Sequence, residues 1–366
     1  MGREGLVDAV AKALLPSGEE MRLLRLCLVG GNSARLDAEE WLASMADPRQ
    51  RLGALDLRYR RMLALVHDGV TRNGVAATKA VSVYLRIAET RERARNQAYW
   101  QQCNQVLSTL RRVKIEAVPI RGAAAALHAY PELYLRHSHD VDLLLPEGAL
   151  YTAVEALEVE GFERCSAPLA GSPDHVAVIR HPSGLEFVLH SAVRRYTGAL
   201  ETFDAARRHL RDTRFPTLPG SITVPSLELT LVHALQDLYC RPSPKSLFLF
   251  IDLWFLLRRA EELDWTTIAA EARARGLCAS CLLVLDFLDR LGAPAELSLR
   301  RRLLALGAEA ERSEYVHLAQ WLGNGKCRLL GLLVTSGAGL PFIMEYASRG
   351  VSRFLRQRGA AVLRHG

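Results

Sequence analysis

Apolar residues at three- and four-residue spacing dominate the first hundred residues and predict helices. The pattern is clear in MRLLRLCLV, in RRMLALVHDGV and along residues 76–113. Such stripes bury one side of each helix against its neighbours, so residues 1–113 are predicted to form an N-terminal helical region. The segment GGNS at 30–33 is predicted to be a turn between two helices, because no strand precedes its glycines.

The pattern changes at Lys114 and predicts a small mixed β-sheet with helices on one face. Short β-branched or alternating runs predict strands, and runs of small or amphipathic character between them predict helices. The successive segments are IEAVPI, RGAAAALHAY, DVDLLLP, EGALYTAVEALEVEGF and the two strands of DHVAVIRHPSGLEFVLHSAV. Helical periodicity returns at VPSLELTLVHAL. The fold class predicted is therefore α+β, with an α+β core at 114–200 and a C-terminal helical region at 201–366.

Composition agrees with a globular chain and favours anionic partners. The 366 residues are 49% hydrophobic and 24% charged, and the formal net charge is +7. Most of the excess arginines lie along predicted helices, as expected for solvated helix faces. The tail EYASRGVSRFLRQRGAAVL combines an apolar and a basic face, so weak docking on an anionic membrane or on a partner helix stays open. No segment is predicted to span a membrane.

The cysteines indicate a reducing compartment. Their number is seven, and they are spread through apolar segments behind an N-terminus without a cleavable signal sequence. The chain is therefore expected to be cytoplasmic. Cys278 and Cys281 have metal-site spacing, but the surrounding LCASCLLVLDFL is helical, and core packing is expected for both.

Two aspartates one residue apart interrupt a strand that otherwise looks buried. Alternate residues of a strand share a face, so Asp140 and Asp142 are predicted to project side by side. Their repulsion is offset most simply by a hard divalent ion, Mg²⁺ or alternatively Mn²⁺. The other interpretation places both at the exposed start of an edge strand, paired with Arg136 or His139.

The stretch IRGAAAALHAYPELYLRHSHDVDLLL resembles the signature of the DNA polymerase β-like nucleotidyltransferases, and specifically a family of largely uncharacterised bacterial members. The resemblance implies that Asp140 and Asp142 are catalytic and hold the metal ions, and that a triphosphate meets the start of the small-residue helix. Arg121 and Arg136 would contact its oxygens. The matching residues are Arg121, Gly122, Ala123, Tyr130, Pro131, Arg136, Asp140 and Asp142.

The sequence departs from the family at the third carboxylate. The family usually carries an acid two residues before a histidine on a neighbouring strand, and in LEFVLH that position is Val188. Glu186 lies two residues earlier on the same strand face and would reach the metal ions after a modest shift of strand register. With that shift, the catalytic and metal-binding set expected is Asp140, Asp142 and Glu186. His190 is expected among the nucleotide-binding residues, and without that shift it would instead act as a base or ligand.

The resemblance continues into the C-terminal helices. His233 in VPSLELTLVHAL and Asp252 in FLFIDLWFLL match family positions that would orient the nucleotide or the acceptor. A hydrogen-bonded core role is equally open for both residues.

Three functional hypotheses follow. The first is a metal-dependent nucleotidyltransferase that moves a nucleoside monophosphate from an NTP to an unknown acceptor, which is a small molecule, a peptide or protein, or RNA. The second is a noncatalytic nucleotide- or partner-binding protein with a degenerate core, which Val188 favours. The third is a tRNA- or RNA-modifying nucleotidyltransferase, motivated by the positive charge, although no aromatic stacking platform is evident.

Overall fold

The computed structural model describes residues 11, 14–16, 18–43, 57–166, 176–194, 200–214, 221–240, 247–292, 297–311 and 314. The described residues of the N-terminal part are mainly helical, as predicted. Of the predicted GGNS turn, only Gly30 and Gly31 lie between the helices, because Asn32 and Ser33 already belong to the following helix. The long amphipathic run forms a single helix of 34 residues, and the Thr78 hydroxyl accepts a hydrogen bond from the Val81 N–H at its first turn. The helices are α1 (Glu19–Leu28), α2 (Asn32–Ala43), α3 (Leu57–Arg60), α4 (Leu63–Arg72) and α5 (Lys79–Arg112).

A mixed five-stranded sheet follows and confirms the α+β prediction. The spatial order is β1-β2-β5-β4-β3, in which β2 and β5 are parallel and the other neighbouring pairs are antiparallel. Helix α6 (Gly122–Ala129) connects β1 to β2, and α7 (Leu150–Val159) precedes β3. The strands are β1 (Val118–Pro119), β2 (Asp140–Leu144), β3 (Glu163–Ser166), β4 (Val176–Arg180) and β5 (Glu186–His190).

Strand alternation divides the sheet into an apolar face and a polar face. On the apolar face, Val141 and Leu143 of β2 and Phe187 and Leu189 of β5 are fully buried. They share a core with residues of α5, α6 and α7. The intervening residues of the same strands therefore point to the opposite face, where the candidate chemistry lies.

Four short strands of the described chain lie around the predicted boundary at 200/201, and those after residue 200 were predicted to be part of a helical region. Strands β6 (Ala192–Arg194) and β7 (Leu200–Thr202) pair antiparallel, and so do β8 (Leu210–Arg214) and β9 (Ser221–Pro225). These strands are short, and β8 is largely exposed, so they lack the long apolar alternation that identifies a strand in sequence. A five-residue helix, α8 (Phe203–Arg207), lies between the two pairs.

Helices account for the rest of the described chain, as predicted. They are α9 (Leu227–Cys240), α10 (Leu247–Leu257), α11 (Trp265–Arg275), α12 (Cys278–Leu291) and α13 (Leu297–Ala308). Cys278 and Cys281 are buried in α12, which confirms their core role. The predicted loop near residue 293 and the basic tail after residue 314 lie outside the described residues. No helix in the described part combines the length and apolar character needed to cross a membrane.

The helices from the two ends of the chain share one hydrophobic core. Leu24 of α1 and Leu65 of α4 belong to the same buried cluster as Phe250 of α10 and Phe287 of α12. This helical core lies beside the sheet, and α6 contributes to both because Ala125 belongs to the helical core and Ala124 to the sheet core. The division of the chain at 113/114 and 200/201 stays a prediction.

Candidate active site

Asp140 and Asp142 lie on the polar face of β2, as the alternation predicts. Their side chains are 43% and 18% exposed, whereas Val141 between them is fully buried on the other face. The Tyr99 hydroxyl of α5 donates a hydrogen bond of 3.1 Å to the backbone oxygen of Asp140 and so fixes the start of the strand. The sheet therefore presents two carboxylates in adjacent positions at its partly open face.

The parallel strand β5 places three further side chains beside this pair. In the strand register, Asp140 is the partner of Glu186 and Asp142 is the partner of Val188. His190 follows on the same face and is 4% exposed. An acid at position 188 would therefore stand directly beside Asp142, whereas Glu186 stands beside Asp140.

Asp142 is held by two cationic or hydrogen-bonding side chains. Nη1 of Arg121 lies 2.8 Å from its Oδ1, and Nε2 of His190 lies 2.7 Å from the same oxygen. Nε of Arg121 lies 3.7 Å from Oδ1 of Asp237 on α9. Burial alone would lower the pKa of the Arg121 guanidinium, but the charges of Asp142 and Asp237 outweigh burial and raise that pKa above its ordinary value.

Sequence reasoning missed Asp237. The available signal was its position four residues after His233, which places both on one side of α9. An aspartate in a mainly apolar helix gave no indication that a strand-to-helix turn more than a hundred residues earlier would supply its partner.

The backbone at Arg121 is unusual and aims its side chain at the carboxylates. The Ile120 N–H donates a hydrogen bond of 3.0 Å to the backbone oxygen of Asp142, which extends the pairing of β1 with β2. Arg121 then adopts φ 56° and ψ −125° as the residue that precedes α6. Positive φ is uncommon for a residue with a Cβ and concentrates at functional sites, where surrounding contacts hold it.

The guanidinium of Arg136 lies so close to Gly122 that it leaves no space for a side chain at this position. A Cβ at residue 122 would lie 2.7 Å from Nη1 of Arg136 and closer still to its Cζ and Nη2. The next residue, Ala123, is buried. The start of α6, predicted to meet a triphosphate, thus packs its first Cα against a side chain from the segment before β2.

Arg136 belongs to a buried network that joins this turn to α10. Its Nε and Nη2 donate to the two carboxylate oxygens of Asp252 at 2.9 and 3.0 Å, and its Nη1 donates to the Ser138 hydroxyl at 2.6 Å. The Tyr130 hydroxyl donates to Asp252 at 2.6 Å. Burial, followed by the charge of Asp252, raises the pKa of Tyr130 well above its usual value, so this hydroxyl remains a donor. Two residues of the family signature, Tyr130 and Arg136, thus share Asp252 as a partner.

Glu186 has its own partner on the side of the sheet away from β2. Its Oε1 lies 2.7 Å from Nη2 of Arg180 on β4, and Arg180 also approaches Glu163 at 3.4 Å. The structure therefore brings Asp142, Arg121 and His190 together and leaves the Glu186 carboxylate paired elsewhere. Within the described ranges, no group of three or more His, Cys, Asp or Glu side chains is arranged to hold a metal ion.

His233 lies in a separate buried network. Its Nε2 is 3.2 Å from Oε2 of Glu201 on β7, and Glu201 forms a two-bond ion pair with Arg275 at 2.7 and 3.0 Å. Burial would raise the pKa of Glu201, but His233 and Arg275 outweigh it and lower that pKa well below its usual value. Arg275 is fully buried, and its Nη1 also donates a hydrogen bond of 3.0 Å to Oε1 of Gln236. Sequence reasoning identified the histidine but not its partners.

Similarity to known proteins identifies the family of this chain. The family described as an uncharacterised nucleotidyltransferase matches residues 56–292. The chain is similar to the solution structure of the antibiotic-resistance factor ANT(2'')-Ia, at 12% identity over 54% of this chain and 95% of that one, with a TM-score of 0.35. It is also similar to an antigenic nucleotidyltransferase-like protein from Paracoccidioides brasiliensis, at 17% identity over 56% and 94%, with a TM-score of 0.30. No curated protein matches. Because the family match spans more than half of its length, this chain belongs to the family of uncharacterised nucleotidyltransferases.

Proposed function

We propose that this protein transfers a nucleoside monophosphate from an NTP to an acceptor in a reaction that depends on Mg²⁺, with Mn²⁺ as an alternative ion. The observation that carries the proposal is the placement of Asp140 and Asp142 side by side on the polar face of β2. Family membership supports the transfer of a nucleotidyl group as the reaction class.

Two carboxylates fit the expected ion. Mg²⁺ is usually held by one or two protein carboxylates, with substrate phosphates and water completing its coordination. Asp140 and Asp142 supply that donor set, and the partly exposed position of Asp140 leaves room for a phosphate to approach. When bound, the ion would neutralise charge on the phosphate oxygens.

The side chains around Asp142 have two roles in this proposal. His190, almost completely buried, orients the Asp142 carboxylate through its 2.7 Å contact. Arg121 lies between the carboxylates and the start of α6, so it supplies the positive charge that a triphosphate needs. The N–H groups of Gly122 and Ala123 add the positive end of the helix dipole.

The other predicted residues do not contact the metal ion in this proposal, and they position its surroundings or the acceptor. Arg136 and Asp252, linked to Tyr130, hold the start of α6 against α10. His233 belongs to the Glu201 network and orients α9. Glu186 is partly exposed and paired with Arg180, so we assign it to the acceptor side of the site.

A second candidate is a noncatalytic nucleotide- or partner-binding protein. Val188 occupies the position beside Asp142 where the family carries its third acid, and Arg121 and His190 already contact Asp142. In this alternative, those contacts hold the fold and no transfer takes place. Binding of a nucleotide without release of pyrophosphate, for every acceptor class supplied, would favour it over the first candidate.

Calorimetric titration tests the proposal before the acceptor is known. Each non-hydrolysable NTP analogue is titrated into the wild type with Mg²⁺ and with EDTA, and into the Asp140→Asn, Asp142→Asn double variant. We expect binding that requires Mg²⁺ and disappears in the variant, while circular dichroism shows an unchanged fold. Binding of equal strength to the variant would remove the two aspartates from the site.

The acceptor class needs its own measurement. The net charge of +7 supports an RNA acceptor as one option. RNA affinity that falls steeply with rising salt would favour it, whereas absent or salt-insensitive RNA binding would leave a small molecule or a peptide.

A further inference from the structure

Two carboxylates compete for the Arg121 guanidinium. Its Nη1 is 2.8 Å from Asp142, within hydrogen-bond distance, and its Nε is 3.7 Å from Asp237, beyond that distance. The Arg121 side chain is 13% exposed, and the side chains of Asp142 and Asp237 are 18% and 27% exposed. The pairing is therefore unequal: Asp142 holds the guanidinium closely, while Asp237 lies just outside the range of a direct bond.

A metal ion at Asp142 would disturb this pairing. A divalent cation that takes Oδ1 of Asp142 competes with the Arg121 guanidinium, since Nη1 of Arg121 and Nε2 of His190 both already contact that oxygen. Arg121 would then be a largely buried charge with its closest partner lost, which is costly unless another carboxylate accepts it. Asp237 is that carboxylate, and it already faces the Nε side of the guanidinium.

Guanidinium geometry permits such an exchange. Arginine has five N–H donors in a fixed planar fork, so Nε can serve one partner while the Nη atoms serve another. Closing the Nε contact to Asp237 would turn the Nη atoms away from Asp142. Their N–H groups would then be available to the triphosphate oxygens that the proposed function places beside Arg121.

We propose that Asp237 is a positioning residue that receives the ion pair of Arg121 when a divalent metal ion binds Asp140 and Asp142. This inference rests on the proposed function. It gives α9 a defined part in the site, because that helix carries the residue that makes metal binding compatible with a buried arginine.

Titration of Mn²⁺ without nucleotide tests the exchange, with free Mn²⁺ counted by electron paramagnetic resonance. We expect Asp237→Asn to weaken Mn²⁺ binding about fivefold, since the metal-bound state loses the second partner of Arg121. Arg121→Gln should tighten binding, because it removes the competing cation. Asp237→Glu should remain within about twofold of the wild type, because it keeps the negative charge.

The double variant separates the exchange from a simple charge effect. If Asp237 acts through Arg121, adding Asp237→Asn to the Arg121→Gln protein changes Mn²⁺ affinity by less than about twofold. Equal weakening in both backgrounds would overturn the inference, because Asp237 would then act by its charge alone. The matched control is Asp68→Asn, which removes an aspartate of similar exposure from an ion pair with Arg72 on α4 and should leave Mn²⁺ affinity unchanged.

Failure of this inference differs from failure of the proposed function. A wild type that binds no Mn²⁺ and no metal–NTP complex would overturn both. A wild type that binds Mn²⁺ through Asp140 and Asp142, with the Asp237→Asn protein indistinguishable from it, would overturn the exchange alone.

Discussion

Gly122→Ala tests whether the glycine serves the close packing of Arg136 on the start of α6. At most helical positions, alanine stabilises a protein by about 0.5–1 kcal/mol relative to glycine. Here the added Cβ would lie 2.7 Å from Nη1 of Arg136 and closer to two other guanidinium atoms, a separation that real Cβ atoms do not show. The guanidinium must therefore move.

Movement of Arg136 breaks its paired bonds to Asp252. Those bonds are 2.9 and 3.0 Å long, and the Asp252 side chain is 8% exposed, so its carboxylate would keep the Tyr130 hydroxyl and lose the cation. Separation of one partner from a buried ion pair costs about 3–5 kcal/mol. After allowance for the gain in helix propensity, we expect Gly122→Ala to lower the free energy of unfolding by about 2–4 kcal/mol.

Urea unfolding followed by circular dichroism measures this loss. The matched control is Gly30→Ala, because an added Cβ there meets no atom within 4 Å; we expect no loss. In a background that carries Arg136→Met and Asp252→Leu together, Gly122→Ala should cost less than about 1 kcal/mol, since no pinned guanidinium remains. An equal loss in both backgrounds would refute the packing argument.

Three further predictions concern Val188 and Glu186 of β5 and the Glu201 network. By the strand register, Val188→Asp places a third carboxylate beside Asp142. We expect Mg²⁺ to bind about tenfold more tightly, and the melting temperature in EDTA to fall because the carboxylates repel one another without a cation. Unchanged Mg²⁺ affinity would contradict the register argument. Glu186→Gln should leave Mg²⁺ affinity within about twofold of the wild type, because Arg180 holds the Glu186 carboxylate. Once an acceptor is known, the same variant should release pyrophosphate more slowly. A large loss of Mg²⁺ affinity would instead identify Glu186 as a metal ligand. Glu201→Gln should cost about 3–5 kcal/mol at pH 7 in urea unfolding. Since folding lowers the pKa of Glu201, its contribution is complete above its unfolded value near 4.5 and is lost as the pH falls below that value; a cost that stays constant down to pH 3 would contradict this.

The sequence predicted the local elements of the site because each has a strong local pattern. Alternation in DVDLLLP and LEFVLH identified β2 and β5 and set their polar faces, and the alanine run identified α6. The contrast between fully buried Val141 and partly exposed Asp142 follows from that period of two.

Partners from distant segments could not be predicted in the same way. Asp252 follows Arg136 by 116 residues in the chain, and Arg275 follows Glu201 by 74. A charged side chain in an apolar helix indicates that a partner exists, but only the packing of the helices decides which one. Asp237 was missed for the same reason.

The alignment of β5 with β2 was the second feature of the site that the sequence could not predict. Glu186 and Val188 share a face in any register, but which of them stands beside Asp142 depends on how β5 is aligned with β2. The sequence allowed a shift that would bring Glu186 to the metals, whereas the structure aligns it with Asp140 and pairs its carboxylate with Arg180.

The central claim is that Asp140 and Asp142 hold the metal ion of a bound NTP. A crystal of the wild type with Mn²⁺ and a non-hydrolysable NTP analogue tests it most directly, because Mn²⁺ is located by its anomalous signal. We predict an anomalous peak about 2.1 Å from oxygens of both carboxylates, with the triphosphate between that peak and the start of α6. A nucleotide bound elsewhere, or a metal peak that touches neither aspartate, would contradict the account.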